Sequence, residues 1–232
     1  MTPLRKYDWL LFDADGTLFD FDRAEVQAFE GTFHDLGVPF DPRYGPVYQA
    51  INQQVWREFE NGQITAEALR LARFERLFRS LDMDVDAEQF SQRYLARLAQ
   101  SSDLLPGARG IIDRLRGKYH LALITNGLKD VQRPRLAGSP IADAFEVVAI
   151  SEEIGAAKPD PLYFTAVFEC IGSPAKERVL VIGDSLTSDI QGGANFGLDT
   201  CWFNPGGLNG GHKLQATYEI RQLGDLFGIL EN

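Results

Sequence analysis

Five short apolar runs constrain this chain more than any other feature. They are Leu10-Leu11-Phe12, Leu121-Ala122-Leu123-Ile124, Val147-Val148-Ala149-Ile150, Val179-Leu180-Val181-Ile182 and Thr200-Cys201-Trp202-Phe203. Each is short and bounded, without the polar alternation of a half-exposed strand. Each therefore reads as a strand buried on both faces. Helical patterns separate the last four. Strands of this kind, joined through helices, form a doubly wound, Rossmann-like parallel α/β sheet. Ligands of open α/β sheets bind beyond the carboxyl ends of the strands. Residues directly after each run are thus the candidates for chemistry.

The stretch from about Phe21 to Ser102 is different. It holds amphipathic helical patterns over Ala24 to Leu36, Tyr44 to Phe59, Thr65 to Leu81 and Ala87 to Ala99, and no convincing strand. Asn61-Gly62 and Asp82-Met83-Asp84 read as turns between them, and Asp86 as an N-cap. Leu104-Leu105-Pro106-Gly107 marks the return to the sheet. The expected organisation is a core of residues 1–20 and 103–232 with a helical domain, residues 21–102, inserted after the first strand.

Composition narrows the partners. The 232 residues carry a formal net charge of -10, which argues against a nucleic-acid polymer or an anionic membrane as partner. A small phosphate-bearing molecule stays open, because a metal and a few cations dominate a small site. Cys170 and Cys201 lie in apolar stretches and are expected to be reduced core residues. Met1 to Asp8 lacks an apolar signal core, and no later run is long enough to span a bilayer, so a cytoplasmic location is the expectation. Pro205-Gly206-Gly207-Leu208-Asn209-Gly210-Gly211 lacks the Lys-Ser/Thr of a phosphate-binding P-loop and is expected to be a flexible loop.

Four strand ends carry polar motifs. After the first run come Asp13-Ala14-Asp15-Gly16. If the strand stays extended, both carboxylates face one side. Like charges that close call for a cation, and hard oxygen ligands suit Mg²⁺. A carboxylate held there can attack a phosphorus centre. Thr125-Asn126-Gly127 offers a hydroxyl and backbone N–H groups to a phosphoryl oxygen; an ordinary capped turn is the alternative. Lys158 precedes Asp160-Pro161, a capped helix start, and can neutralise a phosphate and a nucleophile; a solvated surface lysine is the alternative. In Gly183-Asp184-Ser185-Leu186-Thr187-Ser188-Asp189 one acid can complete a metal shell and the other support it, compatibly with Asp184 and Ser185 capping a helix that ends near Gly197.

Together, in this order, the four motifs resemble the haloacid dehalogenase superfamily along essentially the whole chain. The resemblance implies a sheet of order 5-4-1-2-3 and identifies the insert with that superfamily's helical cap. It implies a Mg²⁺-dependent phosphatase in which Asp13 forms an aspartyl-phosphate and Asp15 serves as acid and then base. Mg²⁺ would be held by the Asp13 carboxylate, the Asp15 backbone carbonyl and Asp184, with Asp189 behind them. Thr125, backbone groups near Asn126, and Lys158 would hold the phosphoryl oxygens. A phosphomutase, a sugar-phosphate or phosphoglycolate phosphatase, a haloacid dehalogenase and a non-catalytic phospho-ligand sensor are the alternatives.

A narrower set of phrases is similar to the house-cleaning pyrimidine 5′-nucleotidases: Tyr7-Asp8-Trp9, Ala50-Ile51-Asn52, Val55-Trp56, Asn61-Gly62-Gln63-Ile64-Thr65, Ile150-Ser151-Glu152-Glu153-Ile154-Gly155 and Thr200-Cys201-Trp202-Phe203-Asn204. The expected substrate is then a pyrimidine nucleoside 5′-monophosphate. Pro134, expected to interrupt the helix after Gly127, and the loop near Gly206 depart from that pattern. Asn52, Trp56 and Phe59 share a helical face. Trp56 can stack on a base and Asn52 pair with its edge, or the aromatic pair can fill the insert's own core.

Overall fold

The computed structural model describes residues 6–209 and 216–231. Among the described residues six strands form one parallel sheet: β1 (Trp9–Asp13), β2 (His120–Thr125), β3 (Val147–Ile150), β4 (Val179–Gly183), β5 (Asp199–Phe203) and β6 (Tyr218–Ile220). Their order is β3-β2-β1-β4-β5-β6, the expected order with one further edge strand outside β5. The helices are α1 (Phe21–Asp35), α2 (Tyr44–Glu60), α3 (Ala66–Ser80), α4 (Ala87–Gln100), α5 (Ala108–Leu115), α6 (Lys129–Ala137), α7 (Ser151–Ile154), α8 (Pro161–Cys170), α9 (Gln191–Phe196) and α10 (Leu226–Leu230).

The unbroken apolarity of the strands has a direct cause. Successive residues point to opposite faces, and both faces are covered. Leu10 and Phe12 of β1 pack with Ile111, Ile112 and Leu115 of α5 and with Leu226 of α10. Leu11, between them, packs with Phe164, Val167 and Phe168 of α8. The parallel register sets Asp13 beside Ile124, Thr125 beside Ile150, and Gly183 beside Trp202, so the motif residues meet at the carboxyl edge.

The chain divides into two compact units, one being Phe21–Ser101 with Asp130–Arg135 and the other the remainder. The grouping of Asp130–Arg135 with the helices has no counterpart in the sequence pattern. Within that unit α1 to α4 bury an aromatic core. Phe74 is fully buried; its ring lies 4.9 Å from Phe90, 5.1 Å from Tyr94 and 5.6 Å from Tyr48. Asp86 caps α4 by accepting from the N–H groups of Glu88 and Gln89, as expected, and Thr65 caps α3.

Four expectations need correction. β1 ends at Asp13, so Asp15 is not on an extended strand. The N–H groups of Leu18 and Phe19 both bond to the Ala14 carbonyl and curl the chain there. Pro134 does not interrupt α6. It removes one N–H from a nine-residue helix, and burial of Val131 and Leu136 helps hold the segment helical. Cys170 is exposed, while Cys201 is buried, and both are free thiols. The buried stripe of α8 is Tyr163, Phe164, Val167 and Phe168, and Cys170 falls beyond its edge at the helix end. The start of the glycine-rich loop is tied down: Asn204 donates to the Leu208 carbonyl and accepts from its N–H. Gly210 and Gly211 lie outside the described residues, as do residues 1–5 of the expected leaderless start. Among the described residues no helix is long and apolar enough to cross a membrane.

Phe74→Ala is expected to destabilise the helical unit by about 3–5 kcal/mol, the usual cost of truncating a fully packed ring. Urea unfolding followed by far-UV circular dichroism measures it; a shift below about 1 kcal/mol would mean that the aromatic core is not a cooperative part of the fold.

Candidate active site

Lys158 is buried at the carboxyl edge of the sheet, its side chain 1% exposed. Its Nζ donates to Asp13 Oδ1 at 2.7 Å, to Asp189 Oδ1 at 2.6 Å and to the Ile124 carbonyl at 3.1 Å. An ammonium has three protons to give, and each has an acceptor. The surface-lysine reading is thereby excluded. Local sequence explains the placement. Asp160 accepts from the Leu162 N–H and starts α8 with Pro161 in its first turn. Asn126 holds the Lys158 peptide from the other side, accepting from its N–H and donating to its carbonyl, both at 2.8 Å.

The acids arrive from three places. Asp13 ends β1 and is buried. Asp184 follows β4; its carbonyl accepts from the Trp202 indole at 2.9 Å and its carboxylate from the Thr17 hydroxyl at 3.3 Å. Asp189 sits in a wide, π-type turn over Leu186–Ile190 that Ser185 caps through the Ser188 N–H. Its second oxygen accepts from the Ser185 N–H at 3.1 Å. Two glycines make room. A Cβ on Gly183 would lie 2.2 Å from Asp189 Oδ2, and one on Gly16 2.6 Å from Asp184 Oδ2. Gly16 also has φ +82°, a left-handed conformation that disfavours side chains.

Thr125 ends β2, buried, its hydroxyl accepting from the Gly127 N–H at 3.0 Å. Asp15 is half-buried in the turn after β1. Asn52 and Trp56 belong to the helical unit. Asn52 is buried, donating to Glu25 Oε1 at 2.8 Å and accepting from Arg73 Nη1 at 3.4 Å. Trp56 is half-buried, edge-on to Phe59 at 5.7 Å. Sequence reasoning missed Trp202 and Thr17 as partners of Asp184, and Glu25 and Arg73 as partners of Asn52. The signal for the last two was present: each is a charged residue at an inward helical position, beside Ala24 and Phe74.

Burial pushes the Asp13 carboxyl well above the usual carboxylate range, and Asp189 and Asp184 push the same way while Lys158 opposes. Burial alone would lower the Lys158 ammonium, but Asp13 and Asp189 outweigh it and hold the value above that of an ordinary lysine. Asp184 is pushed up to about 7, first by burial and then by Asp189. Asp13, Asp184 and Asp189 each offer one oxygen within 4.8 Å of the others. Three crowded carboxylates that each offer a hard oxygen fit a small divalent cation.

The profile of the haloacid dehalogenase-like hydrolases matches residues 7–197. The chain belongs to the haloacid dehalogenase-like hydrolases. Within the family it is 39% identical to the pyrimidine 5′-nucleotidase PynA of Streptococcus pneumoniae, over 97% of this chain and 95% of that protein. It is 36% identical to the pyrimidine 5′-nucleotidase YjjG of Escherichia coli, over 94% and 98%. The crystal structure of the HAD-hydrolase YfnB of Bacillus subtilis, bound to magnesium, superposes with a TM-score of 0.91 at 38% identity, covering 98% of this chain and 100% of that one.

The Asp184 shift has a signed consequence. Below about pH 7 its carboxyl is protonated in the ion-free protein and must lose that proton to bind a cation. Mg²⁺ affinity is therefore expected to rise by at least about tenfold per pH unit as pH climbs towards 7, and more steeply where Asp13 also gives up a proton. Calorimetric titration with Mg²⁺ across that range measures this; an affinity that is flat or falls with pH would mean that no raised carboxyl, Asp184 included, gives up a proton to the ion.

Proposed function

We propose that this hydrolase is a Mg²⁺-dependent phosphatase of small phosphomonoesters, most active on pyrimidine nucleoside 5′-monophosphates. The observation that carries the reaction type is the buried Lys158 held between Asp13 and Asp189. A nucleophilic carboxylate with a fixed cation beside it is what attack on a phosphate dianion needs.

In this reading Asp13 attacks phosphorus and carries the phosphoryl group as an aspartyl-phosphate. Asp15 gives a proton to the departing oxygen and takes one from the water that clears the intermediate. Thr125 holds an equatorial oxygen, and Lys158 sets its charge beside the oxygens over which the transition-state charge is spread. Asp13 and Asp184, with the Asp15 backbone carbonyl, would hold Mg²⁺, and Asp189 supports them through Lys158 and Ser185. Bound there, Mg²⁺ supplies charge neutralisation at the phosphoryl oxygens. The sheet unit is the catalytic core and the helical unit the family's cap. The pyrimidine preference rests on PynA and YjjG, similar along nearly the whole chain.

Asp13→Asn is expected to remove phosphatase activity, to below about one part in 10⁴ given what an activated nucleophile contributes, while the far-UV circular dichroism of the folded protein stays as in the wild type. Near-normal turnover by the pure variant would end the aspartyl-phosphate mechanism.

Asp15→Asn is expected to slow poor leaving groups by about 10²–10⁴-fold, and p-nitrophenyl phosphate less, because a good leaving group needs little protonation. Equal losses for both would remove Asp15 as the acid. Across a panel of phosphomonoesters, uridine and thymidine monophosphates are expected to show the highest kcat/KM. A sugar phosphate or phosphoglycolate better by tenfold would leave the phosphatase reading and end the nucleotidase one.

A further inference from the structure

Asn126 stands in the motif expected to bind phosphate, yet its side chain has a different partner. Its Oδ1 accepts from the backbone N–H of Lys158 and its Nδ2 donates to the Lys158 carbonyl, both at 2.8 Å. One amide thus grips both polar groups of one residue, 32 positions away in the chain. Asn126 is itself held, its carbonyl accepting from the Ser151 hydroxyl at 2.9 Å. Ser151 is the first residue of α7, directly after β3. The loops after β2 and β3 are therefore tied to the loop that carries Lys158.

The grip matters because of what Lys158 has to do. Its Nζ meets three acceptors at 2.6–3.1 Å, on three separate segments. A shift of about 1 Å in its Cα would break that pattern, and displacements of that size commonly cost about 10²-fold in rate. No regular secondary structure holds the Lys158 backbone: it lies between α7 and α8. An amide side chain that supplies one acceptor and one donor replaces the missing ladder bonds.

We propose that Asn126 is a positioning residue that acts through Lys158, and that its side chain is not a phosphate ligand. The inference rests on the phosphatase reading above and narrows the role of one residue in it.

A double-mutant cycle tests it, with Asn126→Ala, Lys158→Ala and the pair, each assayed with p-nitrophenyl phosphate and Mg²⁺. Asn126→Ala is expected to lower kcat by about 10–100-fold with KM within about threefold, since a single misplaced donor costs less than the 10²–10³ of a lost one. The double variant is expected to match Lys158→Ala, because a residue acting through Lys158 has nothing left to do without it. Inorganic phosphate should inhibit Lys158→Ala and the double variant equally. Additive losses, or weaker phosphate inhibition in the double variant than in Lys158→Ala, would show a direct contact with substrate and overturn the proposal. If Asn126→Ala does not fold, Asn126→Asp serves in its place: it keeps the acceptor for the Lys158 N–H but sets a carboxylate against the carbonyl. A normal kcat in that variant would equally overturn it. An inactive wild-type protein would instead refute the phosphatase reading itself.

Discussion

A charged ammonium buried between two buried carboxylates is the interaction on which the rest of this site depends. Taking each ion out of water costs several kcal/mol, which attraction recovers only with good geometry and full hydrogen bonding. Lys158 meets both conditions, with Asp13, Asp189 and the Ile124 carbonyl around its three protons. Removing one partner would strand the others, so the chemistry and the stability of the edge are coupled. Asp13, Asp184 and Asp189 set three carboxylates against one ammonium, so two formal negative charges remain when all are ionised. A divalent cation would balance them, and in the proposed reading a phosphate dianion could then approach a site that would otherwise repel it.

The parallel sheet makes this arrangement attainable. Every strand ends at the same edge, so residues 145 positions apart meet without a long structured loop. What the sheet does not do is set the last few tenths of an ångström. That falls to small devices: glycines where carboxylates press against backbone, Ser185 bonding the turn that carries Asp189, and the Trp202 indole on the Asp184 carbonyl. Each acts on backbone rather than on a reacting atom. The loops of the site are bonded to one another as well as to the strands.

The strands and the order of the motifs were legible in the sequence because both are written in local patterns. A run such as Val179-Leu180-Val181-Ile182 needs no distant information to be read as doubly covered. The state of Lys158 was not legible, since an exposed lysine and a buried one look alike until the acids from β1 and the β4 turn are beside it. The same limit explains Cys170, whose apolar neighbours face inward while it lies just past their stripe. β6 escaped notice because Tyr218–Ile220 is three residues long with a glutamate in the middle. Pro134 misled in the other direction: a strong local rule lost to the packing around a short helix.

Asn52 shows where spacing alone stops being informative. Its position relative to Trp56 and Phe59 gave the face it occupies but not its depth. It is buried, with its amide spanning Glu25 of α1 and Arg73 of α3. Arg73 is itself 1% exposed and lies over the rings of Phe74 and Tyr94. Turning the Asn52 amide outward to meet a base edge would break the 2.8 Å bond to Glu25, a loss of about 1–3 kcal/mol. That penalty would fall on the substrates whose base Asn52 contacted, so it would work against a preference for them. Within the proposed reading, Asn52 contributes by fixing α1, α2 and α3 together. Of the three residues on that helix face, Trp56 and Phe59 are half-buried rings that can make a stacking contact without such a penalty.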